Sequence, residues 1–255
     1  MWSPTLSARN AALLLRAQRA LAVRVIRGYR TISREVACAL AGSLPWNLEA
    51  EVLATVYRRR TQSLGRGRTP GLSAVSRWRR AARHLAYAKW RERLLEELHQ
   101  TSATRRRTLE ALVPVLETWS DRRHGVLSFH LTQVLSGHGC FGRYLWRVGR
   151  EPHPGCHQCG HPDDDAQHAL EACPRWEYPR QSLVAVLGAD LSLPVVVSRM
   201  VEDERCWRAM ADYADLVMTL RETEEREREC DPNSVALRRK RRGGRRGRRA
   251  PAQLP

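Results

Sequence analysis

The pattern Cys156-x2-Cys159-x8-His168-x4-Cys173 constrains this sequence more than any other feature. Three thiolates and one imidazole form a complete tetrahedral ligand set, which is the usual composition of a structural zinc site. The Cys-x-x-Cys turn lets two sulfur atoms converge on one ion, and the surrounding glycine and proline residues favour tight turns. We therefore expect one structural Zn²⁺ ion, with no coordination position left for a catalytic water.

Other histidines near this pattern compete for the fourth ligand position. His157 lies between the two cysteines and is expected to point away from the ion, and His161 follows Cys159 too closely for easy closure of the site. His168 is the predicted ligand, with His161 as the alternative. A short helix over residues 166–172 would bring His168 and Cys173 to the far side of the ion.

Three further motifs in the sequence lack the context that their function requires. Three consecutive aspartates at residues 163–165 cannot all face one ion, so we predict helix capping and loop solvation for them. The glycine pattern at residues 137–142 has no surrounding βαβ unit and is interpreted as turn glycines. The stretch 213–216 has a single aspartate inside a helical pattern, where polymerases require paired carboxylates. We therefore predict no catalytic residue.

Hydrophobic periodicity predicts a mainly α-helical fold. Apolar residues recur at three- and four-residue spacing in most segments. For residues 125–135, the pattern leaves both helix and strand open. The longest candidate carries an apolar stripe formed by Val75, Trp78, Ala82, Leu85, Ala88 and either Leu95 or Leu98. The helix candidates cover residues 7–27, 34–41, 46–60, 73–99, 104–118 (interrupted near Pro114), 166–172, 176–187 and 199–229.

The charge of the chain predicts a polyanionic partner. There are 44 Lys and Arg residues against 27 Asp and Glu residues, which gives a net charge of +17, and such an excess favours nucleic acid binding. We expect a disordered tail that contacts phosphates. Its predicted nucleic-acid-binding residues are Arg238, Arg239, Lys240, Arg241, Arg242, Arg245, Arg246, Arg248 and Arg249.

Composition also excludes some classes of protein. No stretch approaches the roughly 18 consecutive apolar residues that a membrane span requires, and the N-terminus lacks the pattern of a secretory signal. Seven cysteines without such a signal argue against a disulfide framework. We expect a nuclear or otherwise intracellular protein without a small-molecule substrate.

Several stretches together resemble the C-terminal region of the reverse transcriptase polyprotein of type-1 non-LTR retrotransposable elements. They are residues 24–33 with 37–42, residues 119–125, residues 129–141 with Tyr144 and Leu145, and the Cys-Cys-His-Cys set followed by Trp176. The resemblance spans roughly residues 10–220. It implies a helical thumb-like and linker segment followed by a zinc knuckle, with Cys156, Cys159, His168 and Cys173 as the zinc ligands.

The resemblance also implies binding of RNA and DNA during target-primed reverse transcription. The resemblance does not extend to the catalytic motifs of the polymerase or to the endonuclease. We therefore expect a non-catalytic portion of a longer element product. The predicted domains are a thumb- and linker-like region at residues 1–124, the linker end and zinc knuckle at 125–178, a helical region at 179–230 and the basic tail at 231–255. The alternatives are a catalytic fragment and a zinc-dependent interaction module of a host protein that binds no nucleic acid.

Overall fold

The computed structural model describes residues 7–99 and 101–233, so the predicted phosphate-binding residues of the tail lie outside the described part of the chain. The described residues form helices and connecting turns without a strand, which confirms the predicted mainly α-helical class. The α-helices are α1 (Ala8–Val25), α2 (Arg34–Leu40), α3 (Trp46–Gly65), α4 (Leu72–Leu98), α5 (Ala103–Leu112), α6 (Leu116–Asp121), α7 (Phe129–Ser136), α8 (Gly142–Arg147), α9 (Glu177–Leu187), α10 (Leu193–Glu202) and α11 (Glu204–Cys230).

Local sequence signals explain where several helices begin and end. The Ser33 hydroxyl accepts a hydrogen bond from the Val36 N–H at 3.3 Å and caps α2. Pro114 separates α5 from α6, and Gly137 ends α7 in the left-handed conformation. Within the stretch that periodicity left open between strand and helix, residues from Phe129 onward form the helix α7.

The structure corrects three details of the predicted helices. α3 continues to Gly65, beyond the predicted end at residue 60. The buried face of α4 is formed by Ala82, Ala86, Tyr87, Trp90 and Leu94, whereas Leu85 of the predicted stripe is 64% exposed. The single helix predicted over residues 199–229 is broken at Asp203, whose carboxylate accepts a hydrogen bond from the Arg205 N–H and caps α11.

Buried side chains from α1 to α11 form one hydrophobic cluster. Trp119 of α6 lies in its centre, donates a 3.0 Å hydrogen bond to the Leu40 carbonyl and packs against Trp207 of α11 with ring centroids 5.3 Å apart. The cluster crosses the predicted boundaries at residues 124/125 and 178/179. The domain division itself stays a prediction.

α3 and α4 pack against each other as a long helical hairpin. Its proximal half contributes Val52, Val56, Ala82 and Trp90 to the core, while its distal half, between residues 57 and 80, has no buried residue. Within the described ranges, none of the helices combines the length and the apolar character needed to cross a membrane.

Candidate metal centre

The four predicted metal ligands lie together between α8 and α9. The thiol sulfurs of Cys156, Cys159 and Cys173 and a ring nitrogen of His168 are all within 4.8 Å of one another. Among the described residues, this is the one group of three or more such side chains close enough to share an ion. The arrangement can hold one metal ion.

Two of the distances between the ligand atoms fit tetrahedral coordination. Bonds of about 2.3 Å from zinc to sulfur place two tetrahedral sulfur ligands about 3.8 Å apart, and a sulfur and a nitrogen slightly closer. The Cys156 Sγ and Cys173 Sγ atoms are 3.9 Å apart, and the Cys159 Sγ and His168 Nε2 atoms are 3.3 Å apart. These two pairs of atoms are therefore spaced like ligands of one tetrahedral ion, and all four ligand atoms lie within 4.8 Å of one another.

The first two cysteines lie on a tight turn held by backbone hydrogen bonds. The Cys156 N–H donates to the His161 carbonyl at 2.8 Å, and the Gly160 N–H donates to the Cys156 carbonyl at 2.9 Å. A positive φ of 76° at Gly160 completes the turn, which is a conformation that glycine adopts without steric cost. This turn directs both sulfur atoms to the same side.

The other two ligands are brought together by a π-helical turn over His168–Ala172. In an α-helix, five residues rotate the chain by about 500°, which would leave His168 and Cys173 about 140° apart around the axis. The structure instead closes the wider turn with a 2.8 Å bond from the Cys173 N–H to the His168 carbonyl. The predicted helix is therefore present, but its π geometry is what allows both side chains to face the ion.

His161, the alternative fourth ligand, lies outside the cluster. Its Nδ1 atom is 2.8 Å from the Asp163 carbonyl, and its ring stacks on the His168 ring with centroids 4.6 Å apart. His157 also points elsewhere, with its Nε2 atom 3.2 Å from the Glu151 carboxylate. Stacking by His161 restricts rotation of the His168 ring.

The surroundings of Cys156 favour its thiolate form. The Cys173 thiol hydrogen-bonds to it, the backbone N–H groups of Gln158 and Cys159 point at it, and the charge of Arg221 lies nearby, so the pKa of Cys156 is strongly lowered. The pKa of Cys173 is correspondingly raised, because it retains the proton that the two sulfurs share. A preformed thiolate is the state that binds a metal.

The three consecutive aspartates take three different roles. Asp165 caps the helical turn, since its Oδ1 atom accepts hydrogen bonds from the Gln167 and His168 N–H groups at 2.9 and 2.8 Å, as the capping prediction requires. Asp163 forms an ion pair with Arg143. Asp164 departs from the prediction of loop solvation, because it is 1% exposed.

Asp164 forms a buried ion pair with Arg221 of α11, which sequence analysis did not identify. Both side chains are 1% exposed, and the Asp164 Oδ2 atom also accepts the Gly142 N–H at 2.8 Å. Arg221 further donates to the Cys140 carbonyl at 2.9 Å and to the Gln158 side chain at 3.1 Å. A separation of 57 residues along the chain leaves no local signal for this pair.

Two further side chains hold the π-helical turn and were also missed. The Tyr213 hydroxyl of α11 donates to the Ala169 carbonyl at 2.7 Å. Arg180 of α9 donates to the carbonyls of Leu170 and Cys173 at 2.9 and 2.6 Å. These bonds satisfy carbonyl groups at the end of the turn, so neighbouring helices fix the position of the ligands.

Comparisons with known proteins found two curated relatives. The chain is 28% identical over 205 residues to the retrovirus-related Pol polyprotein from type-1 retrotransposable element R1 4 of Nasonia vitripennis, covering 77% of this chain and 50% of the relative. It is also 28% identical over 184 residues to the corresponding R1 polyprotein of Bradysia coprophila, covering 69% of this chain and 18% of the relative. No protein family profile and no solved structure matches the chain.

The matched region necessarily includes the metal centre. A continuous match to 69% of 255 residues covers about 176 residues, so it contains residues 80–176 wherever it begins. The chain spans about half the length of the first relative and less than a fifth of the second. Over most of its length, this chain is therefore similar to a region of the Pol polyproteins of type-1 non-LTR retrotransposable elements.

Proposed function

We propose that this chain is the nucleic-acid-binding, zinc-containing portion of a retrotransposon Pol polyprotein. The similarity to two R1 polyproteins over most of the chain carries the proposal. A net charge of +17 supports it, because a polyprotein that copies RNA into DNA must hold phosphate-rich strands. The role is to bind RNA and target DNA during target-primed reverse transcription.

Zinc is the metal that the ligand set favours. Three thiolates and one imidazole suit Zn²⁺ better than oxygen-preferring cations such as Mg²⁺. All four positions around the ion would be occupied by protein, so the ion would stabilise the fold without activating water. Zinc binding in such sites contributes about 10–16 kcal/mol of apparent free energy, which also stabilises the folded segment.

The metal proposal is tested by measuring zinc in protein purified without chelators. We expect one zinc ion per chain in the wild type and none retained by Cys156→Ser or Cys173→Ser. The exposed Cys230 lies outside the cluster, so Cys230→Ser should retain the ion. Wild-type protein that contains no zinc would contradict this assignment.

The binding proposal is tested by fluorescence anisotropy with labelled RNA and duplex DNA over a range of salt concentrations. We expect the logarithm of the association constant to fall linearly with the logarithm of salt concentration, as released counterions require. Absence of binding at low salt would favour the alternative, a zinc-dependent interaction module of a host protein. Primer extension on an RNA template by the chain alone would instead indicate a catalytic fragment.

A further inference from the structure

The distal half of the α3–α4 hairpin, residues 57–80, is here called the basic arm. It contains eight arginines and no Lys, Asp or Glu. All eight are exposed on the surface, at positions Arg58, Arg59, Arg60, Arg66, Arg68, Arg77, Arg79 and Arg80.

The basic arm extends away from the hydrophobic core. The last buried residue of α3 is Val56 and the first of α4 is Ala82. The helix rise of 1.5 Å per residue places the turn at Gly65–Leu72 about 14 Å beyond those residues. The arm therefore presents its side chains to solvent on more than one face.

Charge pairing differs sharply between the two halves of the hairpin. In the proximal half, Arg83 pairs with Glu49 and Asp121, and Lys89 pairs with Glu51 at 2.6 Å. In the basic arm, by contrast, none of the eight arginines forms an ion pair with any carboxylate of residues 7–99 and 101–233. The hairpin thus pairs two of its cations, Arg83 and Lys89, with carboxylates where it packs, whereas the basic arm pairs none of its arginines with a carboxylate of the described residues.

Leaving eight like charges together destabilises the isolated protein through repulsion. A partner with regularly spaced negative charges would relieve that repulsion, and arginine matches phosphate with its planar, bidentate guanidinium group. Two aromatic side chains lie among the arginines: Tyr57, which is 51% exposed, and the half-buried Trp78. Such interleaving is typical of surfaces that contact nucleic acid strands.

We propose that the basic arm binds the phosphate backbone of a nucleic acid without preference for base sequence. The inference rests on the proposed nucleic-acid-binding function and assigns it a specific surface. Arginines exposed on more than one face of a projecting hairpin suit contacts with phosphates, which fix position but carry no sequence information.

The test uses the full chain and a variant in which four arm arginines are replaced, Arg59→Gln, Arg66→Gln, Arg77→Gln and Arg80→Gln. Affinities for a labelled duplex DNA and a labelled RNA of equal length are measured against salt concentration. Four lost phosphate contacts should reduce the slope on duplex DNA by up to about 3.6 and lower affinity at moderate salt by at least roughly tenfold. Circular dichroism should show an unchanged helix content, because these side chains pack against nothing in the core.

A control variant removes the same charge from α1 and the turn that follows it, at the exposed residues Arg9, Arg16, Arg24 and Arg30. We expect it to change the slope clearly less than the arm variant does. Equal effects of the two variants would overturn the inference, because net charge alone would then explain the binding.

Two other outcomes separate this inference from the proposed function. If the wild type binds nucleic acid and the arm variant binds equally well, the arm assignment is wrong while the function stands. If the wild type binds no nucleic acid, the proposed function fails first. Competition by polyglutamate as effective as that by nucleic acid of equal charge would identify an acidic polypeptide as the partner and overturn the proposal.

Discussion

Arg221 links three segments around the metal cluster, through Asp164, the Gln158 side chain and the Cys140 carbonyl. Its guanidinium group also lies 5.0 Å from the centroid of the Phe141 ring. Burial raises the pKa of Asp164, while the positive charge of Arg221 opposes that rise. The buried ion pair therefore stabilises the fold only as a pair, because either charge alone would be buried without a counter-charge.

Replacing Arg221 with Met should destabilise the protein by about 3–5 kcal/mol, since Asp164 would remain buried without a counter-charge. Arg226→Met is the matched control, because Arg226 pairs with Glu222 on the surface and is 70% exposed. That change should cost about 0–1 kcal/mol. Urea unfolding followed by circular dichroism measures both, and similar midpoints for the two variants would show that the buried pair contributes little.

His138 is a buried histidine outside the metal centre. Its Nδ1 atom is 2.8 Å from the Ser136 carbonyl oxygen, which accepts a hydrogen bond from the ring. Burial lowers the pKa of His138 from 6.5 to about 4. Between these values the unfolded chain binds more protons than the folded one, so stability rises with pH.

Acidification from pH 6.5 to 4 should therefore remove up to about 3 kcal/mol of stability through His138. In His138→Gln, unfolding free energy measured over this range should depend less on pH than in the wild type. The exposed His99 provides the control substitution, His99→Gln. If the curves for wild type and His138→Gln stay parallel, protonation of His138 does not contribute to acid unfolding.

The start of α8 packs closely against the metal-binding turn. A Cβ atom at Gly142 would lie 2.3 Å from the Gly155 carbonyl oxygen and 2.7 Å from that of Pro154. Both neighbours are backbone atoms and cannot rotate away. The Gly142 N–H also donates to Asp164, so this contact fixes α8 against the loop that carries the ligands.

Gly142→Ala should destabilise the protein by about 1–3 kcal/mol, as overpacking of a close contact does. Gly65 lies at the end of α3, where a Cβ atom would meet nothing within 4 Å. Gly65→Ala should be neutral or stabilising by up to about 1 kcal/mol. Thermal unfolding of both variants measures the difference, and a loss of stability in Gly65→Ala alone would contradict the packing argument.

Across the whole molecule, α11 connects the parts that sequence analysis treated separately. It contacts α7, α9 and α10, and it holds the metal-binding loop through Arg221 and Tyr213. The C-terminal end of α11 is rich in charged residues, yet Arg221 and Glu225 are buried at 1% and 4% exposure. One face of this charged segment therefore belongs to the interior.

Binding by the whole chain should combine contributions from the body and from the tail. Deletion of residues 238–255 removes nine basic residues, which sets an upper limit of about 8 on the reduction in salt slope on duplex DNA. We expect a reduction of several units with equal effect on all sequences, while residues 1–237 retain binding. An unchanged salt slope would show that the tail makes no phosphate contact. Complete loss of binding would show that the helical body is not a nucleic-acid-binding surface.

The sequence by itself determined the features that depend on neighbouring residues. Helical periodicity, the caps at Ser33 and Asp165, the interruption at Pro114 and the spacing of the four ligands all act over a few residues, where propensity and turn chemistry decide the outcome. These signals were sufficient for the fold class and for the residues of the candidate metal centre.

Only the tertiary structure decided which helix faces are buried and what holds the metal centre in place. The rotated face of α4, the π geometry after His168 and the pairing of Asp164 with Arg221 all depend on partners distant in sequence. The free energy of burial is gained only when these distant partners come into contact, so the residues next to them in sequence do not identify the partners. The absence of ion pairs between the basic arm and the carboxylates of the described residues was likewise visible only in the tertiary structure, because the position of every carboxylate depends on the complete fold.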